Sequence, residues 1–322
     1  MRAVLQHGPG GAETLYLGET SMLTAGAGQL LVRVRAAGVN RADIVQREGR
    51  YPPPPGASPL LGLEVAGDVA AIGAGISGFR IGDPVFGLVA GGGYAEYALL
   101  DQGCAVHKPD TLSYEEAATL PEAWMTAWLN LVEIAAVRKG ETVLIHAGAS
   151  GVGAAAIQLV RLLGAHGITT AGSDEKRQFC KQLGAETAIN YKQDDFAAQV
   201  VALGGADVIL DCIGGSYLEK NIECLKPDGR LVNIGLMGGA SGKLDIGRLL
   251  VKRLRVQGST LRPQPTAVKA MLTEAIRKTV LPAIAAGNVQ LTLDKVFDWG
   301  QVVEAHRYVE AAANRGKVVL RL

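Results

Sequence analysis

The stretch TVLIHAGASGVGAAAIQLV, residues 142–160, decides how the chain folds. It carries 19 residues without a charged side chain, which on length alone would allow a membrane span. Its composition argues for something else. The opening TVLIHA is rich in β-formers, and the closing AAAIQLV is rich in helix formers. Gly148, Ser150, Gly151 and Gly153 stand between them. The pattern predicts a strand, a tight turn and a helix. A Gly-rich turn in that context lets backbone approach a pyrophosphate, while the helix N-terminus offers unpaired N–H groups and a partial positive charge. The strict G-x-G-x-x-G form is broken, because Ser150 occupies the second Gly position and Gly151 must restore the clearance. Ser150, Gly151, Val152 and Gly153 are therefore candidate dinucleotide ligands.

Downstream, strand and helix patterns alternate. HGITTAG, TAINY, ADVILDCIG and RLVNIG read as strands, with helices over 152–164, 174–183, 194–203 and 216–225. RVQGST (255–260) is one more strand candidate. This alternation predicts an α/β fold with a doubly wound parallel sheet. Upstream, residues 1 to about 121 read as short β runs separated by Gly and Pro, densest at YPPPPGASP (51–59), the pattern of a compact antiparallel barrel. AWMTAWLNLVEIAAV reads as the helix that joins the two patterns. The last stretch, 264–322, carries helices over 266–286 and 300–313 and a terminal strand, KVVLRL.

The strand after the Gly-rich turn selects the nucleotide. Site chemistry that prefers NAD places an acid about 20 residues on, against the ribose 2′-hydroxyl. Nineteen residues past Gly153 stands Gly172, followed by Ser173, Lys176 and Arg177. That set suits a 2′-phosphate and predicts NADPH over NADH. Asp174 and Glu175 are expected to cap the next helix.

Composition narrows the remaining classes. Gly contributes 42 of 322 residues, 48% of residues are apolar, and 32 basic residues face 31 acidic ones for a net charge of +1. The apolar share is too high for a disordered chain, and Gly shows no collagen period. Near-neutral charge provides no global field for nucleic acid or an anionic membrane, so neither is an expected partner. Cys104, Cys180, Cys212 and Cys224 form no C-x-x-C pair, which argues against a zinc lobe and a disulfide framework and for a reducing cytoplasm. The N-terminal MRAVLQHGPGG lacks the apolar core of a signal peptide. The five histidines have no ligand spacing, and His146 is expected to be a satisfied core group.

GVNRAD (38–43), GLEVAG (62–67), AGASGVG (147–153) and GKVVLRL (316–322) resemble the medium-chain dehydrogenase/reductase superfamily. EGRYPPPPGAS (48–58), PEAWMTAW (121–128), INYK (189–192), ILDCIGGSY (209–217) and GLMGG (235–239) resemble its zinc-free quinone oxidoreductases. The likeness runs over nearly the whole chain. It implies a GroES-like β-barrel catalytic domain from residues 1–121 and 264–322. A Rossmann domain, 122–263, would be inserted within it, with the active site in the cleft between them. Zinc alcohol dehydrogenases of this superfamily carry Cys in the first motif and His in a G-H-E triplet. Here Asn40 and Gly62-Leu63-Glu64 stand instead, so no metal is expected.

The resemblance also implies roles. Tyr51 would line the substrate site and orient or protonate the substrate oxygen, and Asn40 would hydrogen-bond a carbonyl or ribose hydroxyl. Thr126, Tyr191, Ile213, Gly214, Gly235, Leu236, Met237, Thr260, Leu261, Arg262 and Lys317 would join the cofactor contacts. The alternative reading of Tyr51 and Tyr191 is as packed aromatics, and that of Asn40 is as a strand-end cap. The expected activity is transfer of hydride or electrons from NADPH to a quinone or other conjugated carbonyl, without zinc or flavin. An enone or enoyl-thioester reductase is the nearest alternative. A non-catalytic NADPH- or RNA-binding protein is a further one, with KRLR (252–255) as its only basic stretch. The resemblance implies pairing through a Rossmann-domain edge strand, for which RVQGST is the candidate, and an exposed edge needs a partner or cover, so a homodimer is expected.

Overall fold

The computed structural model describes all of residues 1–322. The chain divides into two compact units: Met1–Met125 with Arg262–Leu322, and Thr126–Leu261.

The first unit begins with β1 (Arg2–Gln6) and β2 (Leu15–Glu19), an antiparallel pair. The long β3 (Gln29–Val39) leads into α1 (Arg41–Arg47). Then come β4 (Glu64–Ile72), β5 (Pro84–Leu88), β6 (Tyr97–Asp101) and β7 (Ala105–His107). Two helices follow, α2 (Tyr114–Ala117) and α3 (Pro121–Trp128). The unit boundary falls inside α3.

The second unit is the alternating one. It runs β8 (Thr142–Ile145), α4 (Gly151–Leu162), β9 (His166–Ala171), α5 (Asp174–Gln182) and β10 (Thr187–Asn190). It continues through α6 (Phe196–Ala202), β11 (Ala206–Asp211), α7 (Leu218–Cys224), β12 (Leu225–Asn233), α8 (Ile246–Val251) and β13 (Arg255–Gly258). The chain then returns to the first unit as α9 (Thr266–Ala275), α10 (Leu281–Ala285), β14 (Leu293–Asp298), α11 (Val302–Glu310) and β15 (Lys317–Arg321). The single helix expected over 266–286 is interrupted by a wider π turn, Ile276–Val280.

The six strands of the second unit are all parallel, in the order β10-β9-β8-β11-β12-β13. That is the doubly wound order 3-2-1-4-5-6, in which ligands bind beyond the carboxyl ends of the strands where the order reverses, here beside β8. Val143, Leu144 and Ile145 are fully buried, as a strand covered on both faces requires. Ala154, Ala155 and Ala156 bury the adjoining face of α4. The sheet of the first unit runs β14-β15-β3-β4-β5-β7. Strand β3 carries three neighbours because it is long: β4 along one side, β6 against its first half and β15 against its last four residues. All these pairings are antiparallel except β14 with β15.

Candidate functional site

In the first unit, the end of β3, the start of α1, the first residue of β4, the first turn of α3 and the first residue of β15 meet in a buried polar cluster. Asn40 precedes α1, and its backbone N–H donates to Asp43 Oδ2 at 2.8 Å. Its side-chain amide does a different job. Nδ2 donates to Glu64 Oε1 at 2.8 Å, and Lys317 Nζ donates to Asn40 Oδ1 and to Glu64 Oε1, each at 2.5 Å. Glu64 Oε2 accepts from the Glu122 backbone N–H at 2.8 Å. Glu64 is fully buried and Lys317 nearly so. Gly38 makes the room: a Cβ there would stand 2.0 Å from Glu64 Oε1.

Asp43 is the second buried acid. It accepts from the Gly62 N–H at 2.9 Å and from Tyr94 Oη at 3.1 Å. Burial pushes its carboxyl up to about 6 and holds the Tyr94 phenol well above its ordinary range. Glu122 is raised further, to about 8, chiefly by burial and then by the charge of Glu64.

Tyr51 lies in the Pro-rich loop after α1 and is partly exposed. Burial and the neighbouring Glu122 raise its phenol, so it stays protonated at neutral pH. The Arg262 guanidinium sits 5.7 Å from the centre of the Tyr51 ring, a cation–π arrangement. Arg262 is itself committed: Nε and Nη2 donate to Ala90 O at 3.0 and 2.9 Å, and Nη1 donates to Gln46 Oε1 at 2.6 Å. Gln46 in turn donates to Pro59 O at 2.9 Å. Arg262 thus braces the loop that presents Tyr51.

In the second unit, the candidate ligands gather at the carboxyl ends of the strands. Ser150 caps α4, and its Oγ accepts from the Gly153 N–H at 3.0 Å. The N–H groups of Gly151 and Val152, in the same first turn, have no acceptor within the helix. Gly148 and Gly153 are forced by protein contacts. A Cβ on Gly148 would meet Thr169 Oγ1 at 1.9 Å, and one on Gly153 would meet Ala147 O at 2.4 Å. At the end of β9, Ser173 caps α5 by accepting from the Lys176 N–H. The cap is therefore Ser173, and the two acids expected to cap lie in the first turn. Asp174 pairs there with Arg177, whose Nε also donates to Ala188 O. Tyr191 follows β10, and a Cβ on Gly172 would stand 2.8 Å from its phenol oxygen. Gly172, Ser173, Lys176 and Tyr191 thus share one corner.

The turns after β11 and β12 are laced to each other. Gly238 N donates to Ile213 O at 2.6 Å, Gly215 N to Gly239 O at 2.9 Å and Met237 N to Cys212 O at 3.3 Å. Asp211 folds the first of these turns back by accepting from the N–H groups of Ile213 and Gly214. Gly214 has φ +83°, and a Cβ on Gly235 would stand 2.7 Å from Cys212 O. Leu236 and Met237 are exposed at the tip. Behind the turns, His146 is a satisfied core group, with Nδ1 3.1 Å from Thr170 Oγ1 and Nε2 2.8 Å from Asn221 Oδ1. Burial lowers its pKa and keeps it neutral. Thr126 is partly exposed and its carbonyl accepts from Asn130 Nδ2. Thr260 is exposed and Leu261 buried at the junction leading to Arg262.

Family models match both units: an "alcohol dehydrogenase GroES-like domain" over residues 26–110, and a "zinc-binding dehydrogenase" domain over residues 151–277. The chain belongs to the medium-chain dehydrogenase/reductase superfamily. Within the superfamily it is of the zinc-free quinone oxidoreductase type, with a GroES-like and a Rossmann domain. It is 28% identical to the quinone oxidoreductase of Escherichia coli solved with NADPH, with a TM-score of 0.89 and 100% of each chain covered. An NAD-dependent alcohol dehydrogenase is 32% identical, with a TM-score of 0.89 over 100% of each chain. CurK enoyl reductase is 29% identical, with a TM-score of 0.87 over 99% of this chain and 98% of that one. Among curated proteins, the phthioceranic/hydroxyphthioceranic acid synthase of Mycobacterium tuberculosis is 32% identical over 98% of this chain. The chain spans only 15% of that protein's length. The superfamily's oxidoreductase fold therefore applies to this chain.

Sequence reasoning missed Glu64, Asp43 and Glu122 as members of the site. Each carried a signal: a lone acid in an apolar or turn-bounded run, LGLEVAG, GVNRAD and LPEAW.

Proposed function

We propose that this protein reduces a quinone, or another conjugated carbonyl, with NADPH and without zinc or flavin. The observation that carries the reading is the Lys317–Glu64–Asn40 cluster. It holds the Asn40 amide, which stands where metal-dependent relatives carry a Cys thiolate, while Leu63 stands where they carry the His of G-H-E. The second unit fits the nucleotide. The free first-turn amides of Gly151 and Val152 suit a pyrophosphate, and the corner of Gly172, Ser173, Lys176 and Tyr191 suits a 2′-phosphate. When bound, NADPH would supply a hydride, a hydrogen nucleus with two electrons. The chain's own residues orient the acceptor through Tyr51 and Asn40 and protonate its oxygen through Tyr51. Lys317, held by Glu64, keeps Asn40 fixed. Steady-state assays with 1,2-naphthoquinone should show turnover with a lower KM for NADPH than for NADH, unchanged by strong chelators. No turnover with any quinone would overturn the reading.

A second reading is favoured by the CurK likeness: reduction of a carbon–carbon double bond in an enone or enoyl thioester. Product analysis with an α,β-unsaturated ketone separates the two, because one gives the saturated ketone and the other leaves the alkene. An RNA-binding role has little support. In KRLR, Lys252 donates to the carbonyls of Glu223 and Leu225, Arg253 pairs with Asp228, and Leu254 is buried. A cytoplasmic location is part of the same proposal. Four free cysteines fit it, three of them buried, and no helix is long and apolar enough to cross a membrane.

A further inference from the structure

We infer that Arg262 is the positioning residue of the proposed proton donor: its guanidinium braces the face of the Tyr51 ring and, through Gln46, clasps both ends of the loop that carries it. This rests on the proposed reductase reading and deepens it. It also replaces the cofactor contact expected of Arg262, because the guanidinium is buried and engaged within the first unit.

The loop runs from Glu48 to Leu60 and holds four consecutive prolines, Pro52 to Pro55. Gln46, in the last turn of α1, stands just before it. Gln46 Nε2 donates to Pro59 O at 2.9 Å, so one side chain bridges the entry and the exit of the loop. A side-chain amide can present its two ends either way round. Arg262 fixes the choice. Its Nη1 donates to Gln46 Oε1 at 2.6 Å, which leaves the NH2 end for Pro59. Nε and Nη2 together grip Ala90 O, in the turn after β5. That turn packs on the loop exit. Gly92 N donates to Leu60 O at 2.9 Å, and a Cβ on Gly91 would stand 2.5 Å from Ser58 O and 3.1 Å from Arg262 Nη2. The backbone of Arg262 is held as well, since its carbonyl accepts from Lys269 Nζ on α9 at 2.6 Å.

From this anchorage the guanidinium lies 5.7 Å from the centre of the Tyr51 ring. Prolines restrict the backbone between the two clasped ends, so holding those ends and the ring also holds the hydroxyl. The contact strengthens during the reaction. When the oxyanion of the reduced acceptor takes the Tyr51 proton, the O–H bond breaks and a phenolate forms. Tyr51 is partly exposed and takes a proton back from water. A cation over the ring attracts the phenolate more strongly than the neutral phenol. Arg262 gives up no proton, because a guanidinium stays charged. A lysine would supply the charge but not the fork that reaches Gln46 and Ala90 together.

The test uses the full chain with NADPH and 1,2-naphthoquinone. Arg262→Lys should lower kcat about tenfold. Arg262→Gln, which loses the charge as well as the fork, should lower it further. The Kd for NADPH, read by calorimetry, should be unchanged in both. In a Tyr51→Phe background neither substitution should cost anything more, because Arg262 acts through that hydroxyl. Equal fractional losses in the two backgrounds overturn the inference. So does a weaker Kd for NADPH at wild-type kcat, which would return Arg262 to the cofactor. Amide hydrogen exchange gives a readout without turnover. Arg262→Lys should speed exchange in residues 48–60 and leave β3, β4 and β5 protected as in wild type. Gln46→Met, which spares Arg262, should do the same. Unchanged exchange in the loop of both variants, or acceleration spread over the sheet, overturns the inference and leaves the reductase reading standing. A wild type that reduces no quinone or enone overturns both.

Discussion

Lys317 illustrates what burial does to a single charge. Its ammonium and the Glu64 carboxylate are both shut away from water, so each depends on the other and on Asn40. Removing one partner of such a pair leaves an uncompensated buried charge, at a cost of about 3–5 kcal/mol. Lys317→Met should therefore lower stability by that order in denaturant titration, and Lys317→Met with Glu64→Gln should recover much of it. A single variant as stable as wild type would show that the pair is not buried as described. Two other residues set opposite limbs of the pH dependence. His306 is buried beside Arg47, with its Nε2 unpartnered, and its pKa is pushed down to about 3 by burial and by that guanidinium. The unfolded chain protonates it near 6.5 and the folded chain does not, so stability falls as pH drops through the window from 6.5 to 3. Glu122 acts in the other direction. Its folded pKa of about 8 exceeds the ordinary 4.5, so the folded state holds a proton that the unfolded state has released. Its contribution is full below 4.5 and is lost as pH rises through 8. Glu122→Gln should then gain Tm relative to wild type between pH 5 and pH 9. An unchanged difference would place the carboxyl in water.

The glycine turn joins β8 to α4, and its glycines answer to protein neighbours. Gly153 has backbone of Ala147 and Gly148 where a side chain would be, and Gly148 has Thr169. The spacing signalled a ligand, but the crowding shows that part of the requirement is packing of the turn on itself. Gly153→Ala should shift the turn and misplace the amides of Gly151 and Val152. The expected result is a loss of about 1–3 kcal/mol in stability and weaker NADPH binding by calorimetry. Wild-type affinity in that variant would mean that the turn does not hold the phosphates. Most strands and helices could be read in advance, since period and Gly punctuation are local properties. The break between α9 and α10 was not, because the π turn Ile276–Val280 leaves no Gly or Pro within it.

At the scale of the whole molecule, β13 closes one edge of the parallel sheet. All four of its residues are exposed, Val256 at 39%. In the preceding helix α8, Leu250 and Val251 are 70% and 79% exposed. An unpaired edge beside exposed apolar side chains invites another strand. We propose that a second copy covers it, giving a homodimer. Light scattering should report twice the 33.6 kDa chain mass, and Val256→Lys should shift it toward the monomer. A monomeric wild type would refute the proposal.

Residues 142–160, with the strand and helix alternation after them, determined the second unit, because strands, glycine turns and helices are set by neighbours a few positions apart. The resemblance in GVNRAD, EGRYPPPPGAS, GLEVAG and GKVVLRL pointed to the other unit and to Asn40, Tyr51 and Lys317. Only the tertiary structure decided what those residues do to each other. Asn40, Glu64, Glu122 and Lys317 come from four distant segments, and no spacing in the sequence reveals that they share one hydrogen-bonded cluster. The protonation of Glu122 follows from that meeting, since it depends on lost water and on a neighbouring carboxylate, both of which exist only once the chain has folded.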